Sequence, residues 1–62
     1  MIWENRIREV RIRKGLTKKQ LAIKTGLHVN TISRAEKNEV ITVDTLIRIS
    51  RALGISMDDL FF

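Results

Sequence analysis

A chain of 62 residues, 44% hydrophobic and 31% charged, makes one domain that buries only about 60% of the surface its unfolded form exposes, so a compact helical core is expected and a disordered or collagen-like chain is excluded. No cysteine is present, which rules out a disulfide framework or a cysteine zinc site and suits a reducing interior, with the cytoplasm as the expected compartment. The net charge of +5 is unevenly spread. Up to Lys37, ten Lys/Arg face three Glu, a net +7, and the remainder sums to −2, the electrostatic outline of a nucleic-acid binder. The longest apolar runs, such as Met1-Ile2-Trp3 and Leu60-Phe61-Phe62, are three residues, far below the roughly 20 a membrane span needs, and the charged opening stretch is unlike a signal peptide.

In chain order, Trp3, Ile7 and Val10, continuing to Lys14, fall at helical spacing on one face, and Gly15 closes the run. Trp3 is assigned to the core. Thr17 opens a second helix with Gln20 three residues on, the spacing of a capping box, and Leu21 and Ala22 face inward until Gly26. A third helix spans Val29 to Glu36 with Ile32 and Ala35 inward. Asn38 is the left-handed residue beyond its end, since asparagine tolerates positive φ better than most residues. Thr42 caps a fourth helix with the inner stripe Val43, Leu46, Ile49, Ala52 and Leu53, stopped by Gly54. Ser56 caps a last short helix ending at Leu60, with Asp58 and Asp59 at its positive end. No strand, linker, repeat or low-complexity segment is read.

Two short helices joined by a tight turn containing a glycine make a helix-turn-helix, here about residues 17–36 within a single domain spanning 1–62. Gly26 supplies the positive φ the turn requires, and Ala22, four residues earlier, lets the two helices approach closely.

The stretch GLTKKQLAIKTGLHVNTISRAEKN, followed by TLIRISRALGISMDDLF, resembles the helix-turn-helix domain of the phage repressor and Cro family, which includes XRE-like small transcriptional regulators. The resemblance covers about residues 7–61 and rests on Gln20-Leu21-Ala22, Gly26, Thr31-Ile32-Ser33, Glu36 and Ala52-Leu53-Gly54 in combination. It implies an all-α, five-helix, lambda-repressor-like domain that binds double-stranded operator DNA as a homodimer, with residues 29–36 in the major groove. It also implies a largely buried ion pair between Arg11 and Glu36, a pairing that suits the planar guanidinium's bidentate match to a carboxylate. Four positions depart from the family pattern. His28 stands where a serine or threonine cap is usual, Thr25 where an apolar side chain is usual, Ala35 where isoleucine or leucine is usual, and Asn38 where glycine is common.

A helix docked by its N-terminal end points its first residues, and those one turn on, at base edges. This selects His28, Val29, Asn30, Ser33 and Arg34 as base-contacting residues, with Asn30 suited to adenine, Arg34 to guanine and Val29 to a thymine methyl. Thr17, Lys18, Lys19, Thr31, Lys37 and Asn38 are the expected phosphate contacts. One histidine and no Gly-rich phosphate loop leave no nucleophile–base pair and no metal constellation, so neither catalysis nor a cofactor, metal or small-molecule ligand is expected. Asp58 and Asp59 are adjacent and diverge on a helix. No aromatic residue interleaves the basic half to stack RNA bases. The rival reading is a protein-interaction module of the same fold, such as an antitoxin-like or anti-repressor partner. Leu60, Phe61 and Phe62 are the dimer candidates, because a terminal helix with two further aromatics leaves a ring without an inward direction.

Overall fold

The computed structural model of the chain describes residues 5–39 and 42–61. Five helices follow in order: α1 (Ile7–Arg13), α2 (Lys18–Thr25), α3 (Val29–Glu36), α4 (Val43–Leu53) and α5 (Met57–Leu60). The architecture is all-α, and the one β feature among the described residues is an isolated antiparallel bridge between Asn5 and Phe61. Trp3 and Phe62 lie outside the described residues.

Each helix begins where a side chain takes up an orphan backbone N–H. The Thr17 hydroxyl accepts from the Gln20 N–H at 3.0 Å while the Gln20 amide oxygen accepts from the Thr17 N–H at 2.8 Å, completing the capping box. At α4 and α5 the Thr42 and Ser56 hydroxyls accept from the Thr45 and Asp59 N–H groups at 3.2 Å, one-way caps without the reciprocal bond. At α1 the Asn5 side-chain Oδ1 accepts from the Ile7 N–H at 3.0 Å.

Helices α1 to α4 all end in one hydrogen-bond pattern. A left-handed residue, Gly15, Gly26, Asn38 or Gly54, donates its N–H three residues back, and the next residue donates five back, the Schellman arrangement that satisfies the last carbonyls. After the three glycines the following residue is Leu16, Leu27 or Ile55, each packed against the core. After Asn38 it is the exposed Glu39. The end of α3 is thus the exception, with φ +60° at a non-glycine residue.

Ile7, Leu21, Ile32, Ile49, Leu53 and Leu60 are fully buried and, with Val10, Ala22 and Ala35, form the core between the helices. Each fully buried aliphatic side chain contributes about 1.5–3 kcal/mol relative to exposure.

Three expectations from the sequence are corrected. Val43, placed in the inner stripe of the fourth helix, is 66% exposed. Ile49 and Leu53 are buried as expected, and the buried face of α4 is completed by Thr45 and Ser50. The hydroxyls on this face are satisfied locally, Thr45 by Thr42 and Ser50 by the Ile47 carbonyl. Lys14, at the end of the first predicted face, is exposed, and Arg11 takes the inward place one turn after Ile7. Leu60, a dimer candidate, has 0% exposure within its own protomer and offers nothing to a second copy.

Thr25, the polar departure at a core position, is buried, and its hydroxyl donates to the Leu21 and Ala22 carbonyls at 2.9 and 3.0 Å. Burial there leaves no polar atom unsatisfied.

Candidate nucleic-acid interface

The helix-turn-helix is α2, the turn at Gly26 and α3. Gly26 adopts φ 72° and ψ 20°, a conformation a side chain strains, and α2 and α3 pack directly on each other.

His28 opens α3. Its Nδ1 accepts from the Asn30 N–H at 3.0 Å, so histidine performs the capping that the family assigns to a shorter hydroxyl. A neutral imidazole accepting at Nδ1 carries its proton on Nε2. The exposed edge of His28 is therefore a hydrogen-bond donor, suited to a phosphate oxygen or to the acceptor atoms of a base edge.

Along α3 and its C-cap, Asn30, Arg34 and Lys37 lie at i, i+4 and i+7 and are all exposed, so they form one outward row. Val29 is half-buried and packs against the core, leaving only part of its side chain to a groove. Ser33 and Thr31 are half-buried on the two shoulders of that row. Arg34 is held from its C-terminal side, where its Nε donates to Glu39 Oε1 at 3.3 Å. That contact leaves both terminal guanidinium nitrogens for a bidentate partner.

On the Ser33 shoulder a cleft of about 310 Å³ is lined by Arg8, Arg11, Lys18, Ser33, Glu36 and Lys37. Its floor is the ion pair. Arg11 Nε donates to Glu36 Oε2 at 2.7 Å, and the side chains are only 10% and 5% exposed. Since Glu36 neutralises Arg11, the cleft's uncompensated charge comes from Arg8, Lys18 and Lys37, none of which has a side-chain partner among the described residues. Three cations around a shallow opening with a hydroxyl at its edge match a phosphate, which takes charge and hydrogen bonds together.

The expected phosphate residues divide accordingly. Lys18 and Lys37 line the cleft. Thr17 lies one residue from it, with its oxygen engaged by Gln20 and its hydroxyl proton still available. Lys19 is exposed on α2, and Thr31 is on the opposite shoulder of α3. The Asn38 side-chain oxygen is already taken, accepting from the Asn5 amide. Sequence reasoning missed three residues here. Arg8, Glu39 and Asn5 are given no role in the sequence reading.

The family model described as helix-turn-helix matches residues 7–60 of the chain. A comparison with curated proteins finds no match. Among the described residues, no helix is long and apolar enough to cross a membrane.

Proposed function

The chain belongs to the helix-turn-helix family of DNA-binding transcription regulators, and from that premise we propose that it is a repressor that binds a two-fold symmetric operator as a homodimer in the cytoplasm. In this reading α3 lies in the major groove. Asn30 and Arg34 contact base edges, His28 donates through Nε2, Val29 and Ser33 add contacts from the shoulders, and the cleft of Arg8, Lys18 and Lys37 seats a backbone phosphate. Thr17, Lys19 and Thr31 reach flanking phosphates.

The observation that carries this reading is the juxtaposition of the outward row of α3 with the uncompensated cationic cleft, joined at Lys37. Phosphate contacts fix register and base contacts specify sequence, and the two kinds of side chain lie side by side. The protomer's principal extents are 30 × 20 × 17 Å. One copy therefore places a single reading helix, and successive major grooves, about 34–36 Å apart, call for two copies. The half-buried Phe61, with Phe62 beyond it, and the end of α4 supply the two-fold contact, the same patch on both subunits. A repressor role follows from the simplest action of such a dimer, which is to occupy its site.

Selection of bound sequences from a random duplex pool tests the proposal. A two-fold symmetric consensus supports it, and recovery of no consensus, with binding insensitive to salt, points to a protein partner for the same fold.

A further inference from the structure

We propose that Asn5 is a positioning residue for the DNA interface, fastening the turn after α3 so that Lys37 is presented to phosphate. The proposal rests on the reading that Lys37 meets the DNA backbone.

Asn5 stands at the centre of the connections. The Asn5 amide nitrogen donates to the Ala35 carbonyl at 3.0 Å and to the Asn38 side-chain oxygen, bracketing Glu36 and Lys37 from both sides. Its side-chain Oδ1 accepts from the Ile7 N–H at 3.0 Å, tying the same residue to the start of α1. Its backbone bridges Phe61, and the neighbouring Arg6 N–H donates to the Leu60 carbonyl at 2.8 Å. The end of α3 is thus anchored, through Asn5, to both α1 and the C-terminal segment.

The turn itself carries the mark of this role. At the ends of α1, α2 and α4 the left-handed residue is glycine and the next is apolar and packed on the core. After α3 that apolar anchor is absent, and Glu39 points to Arg34 instead. The left-handed residue is an asparagine, which strains the backbone more than glycine does and supplies an acceptor that glycine lacks. The Asn5–Asn38 contact replaces the missing apolar anchor. The segment it holds contains Lys37, which belongs both to the outward row of α3 and to the cationic cleft.

The test separates this role from helix capping. In Asn5→Ser the hydroxyl still accepts from the Ile7 N–H but is too short to reach Ala35 or Asn38. In Asn38→Gly the acceptor is removed while backbone strain is relieved. The salt dependence of binding to the selected duplex is measured for the parent, Asn5→Ser, Asn38→Gly, Lys37→Gln and the double variant Asn5→Ser/Lys37→Gln, with thermal melting alongside. Loss of one phosphate contact lowers the log–log salt slope by about 0.9. The proposal expects a drop of that size in Lys37→Gln and a drop in the same direction in Asn5→Ser. Asn38→Gly also loses slope although it melts no lower than the parent, an outcome a merely structural role does not produce. The double variant binds no more weakly than Lys37→Gln alone, because Asn5 acts through Lys37. If Lys37→Gln lowers the slope while both Asn5→Ser and Asn38→Gly keep the parental one, the positioning role is overturned and the phosphate reading stands. If Lys37→Gln itself is silent, both are overturned. Should Asn5→Ser fail to fold, Asn38→Gly alone decides.

Discussion

The guanidinium of Arg11 clamps the last turn of α3, with Nε 2.7 Å from Glu36 Oε2 and Nη1 donating to the Leu16 carbonyl at 2.8 Å. One side chain thereby ties α1, the turn before α2 and the end of α3 together beneath the cationic cleft. Arg11→Met strands a carboxylate that is only 5% exposed, and breaking a buried pair costs about 3–5 kcal/mol. Arg8→Met, at the exposed rim of the same cleft, changes stability by no more than about 0.5 kcal/mol. Urea midpoints of the two variants check this, and equal midpoints contradict the structural role of Arg11.

His28 joins two roles that its substitutions can part. His28→Ala removes the acceptor for the Asn30 N–H and lowers stability by about 1 kcal/mol, the ordinary worth of an N-cap. His28→Ser restores the cap but not the outward donor. Both variants are therefore expected to bind the selected duplex equally weakly, with only His28→Ala melting early. Full recovery of binding in His28→Ser assigns the residue to capping alone.

The proposed dimer contact rests on exclusion and on exposure. Leu60 belongs to the protomer core, and Leu60→Ala costs about 2–5 kcal/mol of folding stability by leaving a cavity. Phe61 is half-buried, and its tie to Asn5 is through the backbone, which serine retains. The parent is expected to sediment as a concentration-dependent dimer, and Phe61→Ser/Phe62→Ser as a folded monomer. If both run as monomers and bind a symmetric site with the same cooperativity, the aromatic end has no part in assembly.

The helix boundaries were legible because their signals are local. Thr17 with Gln20, Thr42, Ser56, Gly26 and Gly54 each act within a few residues, and they mark both ends of α2 and α4 and the start of α5. The buried face of α4 was legible in part from its apolar letters, which place Ile49 and Leu53 correctly and Val43 wrongly. Val43 sits in the first turn, beyond what neighbouring helices cover, while Thr45 and Ser50 occupy buried positions by satisfying their hydroxyls within or beside their own helix. The candidate site divides in the same way. Asn30 and Arg34 are set by the period of one helix. The Arg8 cleft needs three elements to form it, and the Asn5–Asn38 contact spans 33 residues, so neither leaves a local trace. The one hint was Asn38 itself, an asparagine where glycine is common.

Asn30 and Arg34, on the outward row of α3, are proposed to read base pairs. Competition binding of the parent, Asn30→Ala and Arg34→Ala to the selected duplex and to a scrambled duplex tests this most directly. A good bidentate base contact is worth about 1–3 kcal/mol of discrimination, so each variant should lose most of its preference for the selected duplex while keeping salt-sensitive binding to both and an unchanged melting temperature. Parental discrimination in both variants contradicts the account and places sequence reading outside Val29–Glu36.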